Sequence, residues 1–210
     1  MSYQPPVPEL VAIQGPCGDL EAIVETPPSP SAMAVVCHPH PLHGGTMTNK
    51  VAHALARSFN ECGIASVRFN YRGVGKSAGT YDAGIGETQD AVAVVRWAQQ
   101  RWPGLSLYMA GFSFGGGVAL RAALQMSCVG LVTVAPAIAR DPPPAQLPSC
   151  PWLLIQGDAD DVVPAATVMN WVDALTIKPE TKMLEGAGHF FHGRLIELRQ
   201  VVREWLMRQP

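Results

Sequence analysis

The residues with the clearest capacity for chemistry are Gly111, Ser113 and Gly115, which form a G-x-S-x-G pentapeptide near the middle of the chain. The apolar run 105–110 before it is typical of a strand covered on both faces, and the small-residue run 114–124 after it predicts a helix. A serine on such a tight turn is strained, with its hydroxyl pushed clear of the sheet. Glycines must flank it, because a Cβ would clash where strand and helix meet. We therefore predict that Ser113 is a nucleophile and not part of a merely close-packed glycine turn.

A serine hydroxyl needs a base that takes its proton and a third group that orients that base. His189, in the loop G-A-G-H-F-F after the last strand-like run, is the candidate base. The loop after the preceding strand-like run carries Asp158, Asp160 and Asp161, any one of which could orient the histidine. The sequence thus predicts a Ser-Asp-His arrangement and leaves the acid open among three carboxylates.

Acyl transfer also needs N–H groups that stabilise the negative oxygen of the tetrahedral intermediate. One is the backbone N–H of Phe114, the residue after the serine. We expect the second in the loop HPHPLHGG, which follows the apolar, strand-like run 32–37. Its prolines have no N–H, so His40 is the first candidate and Leu42 the next, and we predict His40. The two glycines of the loop would let this backbone come close to a substrate.

The same loop permits a different interpretation, because His38, His40 and His43 form an H-x-H-x-x-H cluster that could bind zinc. The intervening prolines and the missing acidic ligand weaken it, and we expect no metal and no cofactor. Arg72, in a glycine-rich loop farther along, could face the substrate as a cation or could be structural or solvated. Whether Arg72 or His43 contacts the substrate stays open.

Strand-like and helix-like runs alternate from residue 32 onward, and they must position these side chains. The alternation predicts a mostly parallel sheet with helices on both faces. Two β-rich runs, 9–14 and 20–26, predict an antiparallel hairpin at one edge. We expect Thr46 or Thr48 to cap the first helix. Loops after parallel strands open on one edge of a sheet, which would bring the candidate residues together.

Composition and charge exclude several classes of function. The 210 residues, 48% hydrophobic and 15% charged, predict one globular domain spanning 1–210. A net charge of −2 without a run of Lys and Arg argues against binding to nucleic acid or to a membrane surface.

The chain has neither a signal-peptide pattern nor an apolar stretch of roughly 20 residues. The five cysteines lack a C-x-x-C pair, so we expect a cytoplasmic protein with reduced, mostly buried thiols. The oligomeric state is not predicted.

Taken together, the motifs resemble those of the α/β-hydrolase superfamily over nearly the whole chain. The nucleophile turn is GFSFGG, the acid loop GDADDVVP and the histidine loop GAGHFF. More narrowly, HPHPLHGGTMTNKV and FNYRGVGKSAGTYDAGIGE resemble a group of small bacterial hydrolases related to dienelactone hydrolases and short-chain esterases. The resemblance implies an α/β-hydrolase fold: a doubly wound, mostly parallel sheet with an antiparallel N-terminal edge. It implies no cap domain, because a proline-rich link, 136–148, stands where such caps are inserted.

The superfamily pattern G-x-x-D-x-x-V-P implies that Asp160 is the acid, three residues after Gly157 and three before Val163. Dienelactone hydrolases have a cysteine where this chain has Ser113, which favours a generic small-molecule carboxylic ester as substrate. The missing cap favours short acyl groups. A thioesterase, an amidase and a non-catalytic binding protein are the alternatives. We expect a shallow open site bordered by four aromatic residues: Phe112, Phe114, Phe190 and Phe191.

Overall fold

The structure of the chain is a computed structural model that describes residues 3–138 and 146–209. Its strands are β1 (Glu9–Gly15), β2 (Gly18–Glu25), β3 (Ala32–Cys37), β4 (Ile64–Phe69), β5 (Ser106–Phe112), β6 (Gly130–Val134), β7 (Trp152–Gly157) and β8 (Glu180–Leu184). Its helices are α1 (Lys50–Glu61), α2 (Ile85–Arg101), α3 (Phe114–Gln125), α4 (Ala165–Ala174) and α5 (Leu195–Leu206).

All eight strands form one sheet in the order β1-β2-β4-β3-β5-β6-β7-β8. β2 pairs antiparallel with β1 and with β4, whereas the pairs from β4 across to β8 are parallel. The predicted α/β-hydrolase fold with an antiparallel N-terminal edge is therefore confirmed. Part of the proline-rich link falls on residues 139–145, outside the described residues, and the described parts of the connection from β6 to β7 contain neither helix nor strand.

Side chains of the central strands alternate between two apolar cores, as the period of two in a strand requires. In β3, Met33, Val35 and Cys37 face the core beneath α2 and α3. Ala34 and Val36 face the opposite core, beneath α1 and α5. This burial on both faces explains why the sequence of β3 is continuously apolar.

The strand order decides which loops can meet. β5 lies at the centre, with β3 and β4 on one side and β6, β7 and β8 on the other. The loops after β3 and β4 therefore approach the end of β5 from one side, and those after β7 and β8 from the other. None of the helices in the described ranges is long and apolar enough to cross a membrane.

Two local predictions were wrong. The side chain of Asn49 caps α1 by accepting hydrogen bonds from the N–H groups of Val51 and Ala52. Thr46 and Thr48 do not, because their hydroxyls bond each other at 2.9 Å and the helix begins after them. Nor are most cysteines buried: one of the five is buried, one is exposed and three are partly exposed, because four lie in turns or at the ends of elements.

Candidate active site

Ser113 occupies a sharp turn between β5 and α3, with φ 56° and ψ −119°. A Cβ on Gly111 would lie 2.0 Å from the carbonyl oxygen of Gly115, and a Cβ on Gly115 would lie 2.3 Å from that of Cys37. Only glycine permits these approaches, so the turn, the helix and β3 are packed backbone against backbone. The strained φ of the serine projects its hydroxyl beyond the sheet.

Ser113, His189 and Asp160 are joined by two hydrogen bonds. The Nε2 atom of His189 lies 3.1 Å from Oγ of Ser113, and its Nδ1 atom lies 2.8 Å from Oδ2 of Asp160. A carboxylate can only accept, so Nδ1 carries the proton and Nε2 is left as the acceptor for the serine hydroxyl. All three residues are less than 8% exposed. This is the arrangement of nucleophile, base and orienting acid that acyl transfer requires.

The carboxylate of Asp160 is fixed by further donors. Its Oδ1 atom accepts the N–H groups of Val162 at 2.9 Å and Val163 at 2.7 Å. Burial acts to raise the pKa of Asp160, but the hydrogen bonds from His189 and from these N–H groups outweigh it and lower the pKa below its ordinary value. The group therefore stays ionised and directed at the histidine.

Sequence reasoning missed Gln156, the polar residue near the end of the buried strand β7. Its Nε2 atom donates to Oδ2 of Asp160 at 3.1 Å and to the carbonyl oxygen of Val163 at 3.0 Å. It thus ties the acid to the loop that surrounds it. The signal was present in the sequence, because an amide within an otherwise apolar, fully buried run needs partners.

The other two acidic candidates lie elsewhere. Asp158 accepts the N–H of Gly186 at 2.6 Å and so joins the loops after β7 and β8. Asp161 is exposed to solvent. Of the three carboxylates, the structure brings Asp160 to the histidine.

The loop after β3 forms a short 3-10 turn, Pro41–His43, which begins after His40. The Nδ1 atom of His40 accepts the N–H of Leu42 at 3.2 Å, so the second candidate oxyanion donor is already engaged. The rings of His40 and Phe114 are 4.8 Å apart, which places the two predicted donor residues side by side next to Ser113.

His38 is held inside the protein by both ring nitrogens. Nδ1 donates to the carbonyl oxygen of Pro39 at 2.7 Å, and Nε2 accepts the N–H of Tyr71 at 3.2 Å. Burial lowers the pKa of His38 to about 3, so the ring stays neutral. The ring is therefore committed to loop structure, which argues against the zinc interpretation of the three histidines. Within residues 3–138 and 146–209, no three His, Cys, Asp or Glu side chains are grouped to hold a metal ion.

Arg72 is structural. Its guanidinium makes a two-pronged contact with the fully buried carboxylate of Asp90 on α2, with distances of 2.8 to 3.2 Å. Gly86 makes room for it, since a Cβ there would lie 2.1 Å from its Nη1 atom. This pair fastens the loop after β4 to α2. The interpretation of Arg72 as a cation facing the substrate is not supported.

A cavity of about 520 Å³ opens above Ser113 and His189. Phe114 and Phe190 line it as expected, but Phe112 and Phe191 are fully buried in the core beneath and do not border it. His43 does lie on the wall. Among the residues that the structure describes, none of the side chains on the cavity wall is Asp, Glu, Lys or Arg.

Known proteins resemble this chain in sequence and in fold. Residues 30–150 match the family described as serine aminopeptidase, S33. An α/β serine hydrolase homologue from Coxiella burnetii is 44% identical, with a TM-score of 0.90, over 98% of this chain and 100% of that one. The chain belongs to the α/β serine hydrolases. Another member from Xanthomonas campestris, described as lacking a lid, gives a TM-score of 0.93 at 38% identity, over 100% of this serine hydrolase and 99% of that chain.

An uncharacterized protein of Rickettsia prowazekii is also related to this serine hydrolase. The two are 33% identical over 94% of this chain and 88% of that protein. The likeness thus extends over nearly the full length of both. The lid-less fold expected from the short proline-rich link agrees with the Xanthomonas structure.

Proposed function

We propose that this serine hydrolase cleaves short-chain carboxylic esters through an acyl-enzyme on Ser113. The observation that supports it most is the line of hydrogen bonds from Asp160 through His189 to the serine hydroxyl, which ends at the floor of the cavity. A buried, oriented imidazole next to a strained serine is the arrangement that makes a hydroxyl nucleophilic.

In the proposed reaction, His189 takes the proton of Ser113 as its oxygen attacks the ester carbonyl. The N–H groups of Phe114 and His40 hold the negative oxygen of the tetrahedral intermediate. The intermediate then collapses, and His189 gives its proton to the departing alcohol. Water then attacks the carbonyl carbon of the acyl-enzyme by the same steps, with His189 again taking and returning the proton. This releases the carboxylic acid and restores the serine.

The lining of the cavity favours an uncharged substrate. An aminopeptidase must bind a protonated α-amino group, and a buried ammonium needs a carboxylate partner. In the described part of the chain the walls offer imidazole, phenol, amide and hydroxyl groups beside apolar surface, and no carboxylate. A neutral ester matches these walls better than a peptide amino terminus, although the matching family is named for aminopeptidases.

A panel of propanoyl compounds tests the proposal. Ethyl propanoate, S-ethyl thiopropanoate and N-ethylpropanamide share one acyl group and differ in the leaving atom. We expect kcat/KM for the oxygen ester to exceed that for the amide by at least about a hundredfold, with Ser113→Ala as the inactive control. Preferred cleavage of the amide would contradict an esterase. Binding without turnover of any member would indicate a binding protein.

A further inference from the structure

The two walls of the cavity differ in chemistry. The loops after β3 and β4, with the start of α3, supply a ring wall: His40, His43, Tyr81 and Phe114. The loop after β7, with the start of α4, supplies an aliphatic wall: Val162, Val163, Pro164 and Thr167. Phe190, next to His189 in the loop after β8, adds a single phenyl ring on this side. Because β5 lies between these two sets of strands, the walls stand on opposite sides of Ser113.

The rings of the ring wall support one another. The His40 ring lies 4.8 Å from the Phe114 ring, 5.2 Å from the Tyr81 ring and 4.7 Å from the His43 ring, between centroids. The Nε2 atom of His40 is also 3.3 Å from the hydroxyl of Tyr81. These separations are those of stabilising aromatic pairs, so the surface is formed before a ligand arrives.

Proton transfer decides which end of the ester faces which wall. His189 must deliver its proton to the leaving alcohol oxygen, so the alcohol lies on the side of the cavity from which His189 enters. His189 follows β8, on the same side of β5 as the aliphatic wall. The acyl group leaves the carbonyl carbon in a direction away from the alcohol oxygen, so it lies nearer the ring wall than the alcohol does. This step rests on the proposed function.

We propose that the ring wall is an acyl subsite for a flat aromatic group, so that the preferred substrates are uncharged esters of aromatic-ring acids with short aliphatic alcohols. A flat ring can stack on or meet the edges of these side chains, which a puckered ring of similar size cannot. Aromatic pairing adds roughly a factor of 2 to 10 beyond the burial of apolar area.

Two matched pairs of esters test the subsite. Ethyl phenylacetate and ethyl cyclohexylacetate place a flat or a puckered ring on the acyl side, one carbon away from the reacting carbonyl. Benzyl acetate and cyclohexylmethyl acetate place the same rings on the alcohol side. We expect kcat/KM to favour phenyl over cyclohexyl by about fivefold or more on the acyl side, and by clearly less on the alcohol side, where Phe190 is the one phenyl ring among the described lining residues on that side. Equal ratios, or a preference confined to the alcohol side, would overturn the assignment.

Variants of the two walls sharpen the test. Tyr81→Leu should bring the acyl-side ratio below about two, whereas Val162→Ala on the aliphatic wall should leave that ratio in place. Calorimetric binding of the two acyl-side esters to Ser113→Ala gives a readout without turnover. Tighter binding of ethyl phenylacetate there, with no hydrolysis by the wild type, would retain the subsite and refute the proposed function. Equal affinities would refute the subsite.

Cys128 and Cys150 lie close together outside the cavity, with their Sγ atoms 3.1 Å apart. Both are partly exposed. Cys128 precedes β6 and Cys150 precedes β7, two neighbouring parallel strands, so the pair lies at the sheet edge opposite the cavity. The hydrogen bond from the Cys128 thiol lowers the pKa of Cys150 and raises that of Cys128.

We infer that Cys128 and Cys150 form a reversible disulfide by exchange with a small disulfide such as oxidised glutathione. The Cys150 thiolate attacks one sulfur of glutathione disulfide, which forms a mixed disulfide and releases one glutathione thiolate. Cys128 then gives up its proton and attacks the Cys150 sulfur, which releases the second glutathione. The protein dithiol is oxidised to a disulfide, and one glutathione disulfide is reduced to two thiols.

Mass spectrometry and thermal unfolding test this pair. Treatment with oxidised glutathione should remove two hydrogens from the mass and raise Tm by roughly 5–10 °C, because the bond closes a loop between strands, and dithiothreitol should reverse both changes. Cys128→Ser and Cys150→Ser should abolish the effect, whereas Cys17→Ser, at an exposed cysteine in the β1–β2 turn, should retain it. A persistent glutathione adduct on either residue, or an unchanged Tm, would overturn the inference.

Discussion

Asp158 and Asp160 lie two positions apart, yet the groups around them direct them to different partners. The loop after β7 offers two backbone N–H groups to Oδ1 of Asp160, which turns its other oxygen toward His189. Asp158 accepts the N–H of Gly186 instead. At the scale of single residues, the site is thus specified by which backbone donors are within reach of each carboxylate.

Replacement of the three acids should separate their roles. We expect Asp160→Asn to lower kcat by at least about a hundredfold, because an amide no longer holds the proton on Nδ1 of His189. Asp158→Asn and Asp161→Asn should stay within about tenfold of the wild type. Steady-state kinetics on ethyl propanoate measures this. A crippled Asp161→Asn beside a nearly normal Asp160→Asn would show that the acid has been misassigned.

His38 makes stability depend on pH. Its pKa is lowered by burial from an ordinary 6.5 to about 3, so between these values the unfolded chain binds a proton that the folded protein does not. The contribution of His38 to the stability of the folded protein is fully present above pH 6.5 and is lost as the pH falls toward 3. We expect the free energy of unfolding to fall between pH 6.5 and 4.5 by on the order of 2 kcal/mol more for the wild type than for His38→Asn. Urea unfolding at both pH values checks this, and parallel changes in the two proteins would argue against it.

At the scale of elements, the contact of β3, β5 and α3 is made by backbone. Gly115 lies where a Cβ would meet the carbonyl oxygens of Cys37 and His38 at 2.3 and 2.4 Å. These two carbonyl groups lie where β3 ends and the loop that carries His40 begins. Close approach at this glycine therefore fixes both proposed oxyanion donors relative to one another.

Gly115→Ala should lower Tm by roughly 5–10 °C and lower kcat, because the strand or the helix must move to admit the methyl group. Gly116→Ala is the matched control, since its Cβ would be 3.1 Å from the side chain of Pro136 and the fall should be smaller. Differential scanning calorimetry with kinetics on the same samples gives the comparison. An equal loss in both variants would contradict a special role for Gly115.

The elements could be predicted from the sequence because their signals are local. β3 is a continuous apolar run, β7 is apolar up to Gln156, and both strands are buried on both faces. The cap of α1 could not be predicted, because Thr46, Thr48 and Asn49 all have capping side chains and the chosen one depends on where the helix begins. The prediction that Phe112 borders the site was also wrong. The alternation of side chains along β5 directs Phe112 into the core.

At the scale of the whole molecule, strand order assembles the site. The expected Ser113, Asp160 and His189 come together because their loops leave the same edge of the sheet. Tyr81 and Val162 could not be assigned to opposite walls from the sequence, because that assignment requires the order of β4, β3, β5, β6 and β7 across the sheet. Motifs thus predict the reacting groups, and the long-range pairing of strands determines what surrounds them.

The missing cover over the cavity limits the gain from a long acyl chain. The described parts of the connection from β6 to β7 contain neither helix nor strand that could cover the site, so the far end of a long chain stays in water. Among straight-chain p-nitrophenyl esters, we expect kcat/KM to be highest from acetyl to butyryl and to gain nothing from longer chains. A steady rise out to dodecanoyl would show that long chains find an apolar surface beyond the cavity.

Covalent labelling is the sharpest test of Ser113 as an activated nucleophile. A fluorophosphonate probe reacts with a serine hydroxyl whose proton a neighbouring base removes. We predict stoichiometric labelling of the wild type, with the adduct on the peptide that contains Ser113, and no labelling of folded Ser113→Ala. Labelling that survives this substitution, or a folded wild type that the probe does not label, would contradict the account.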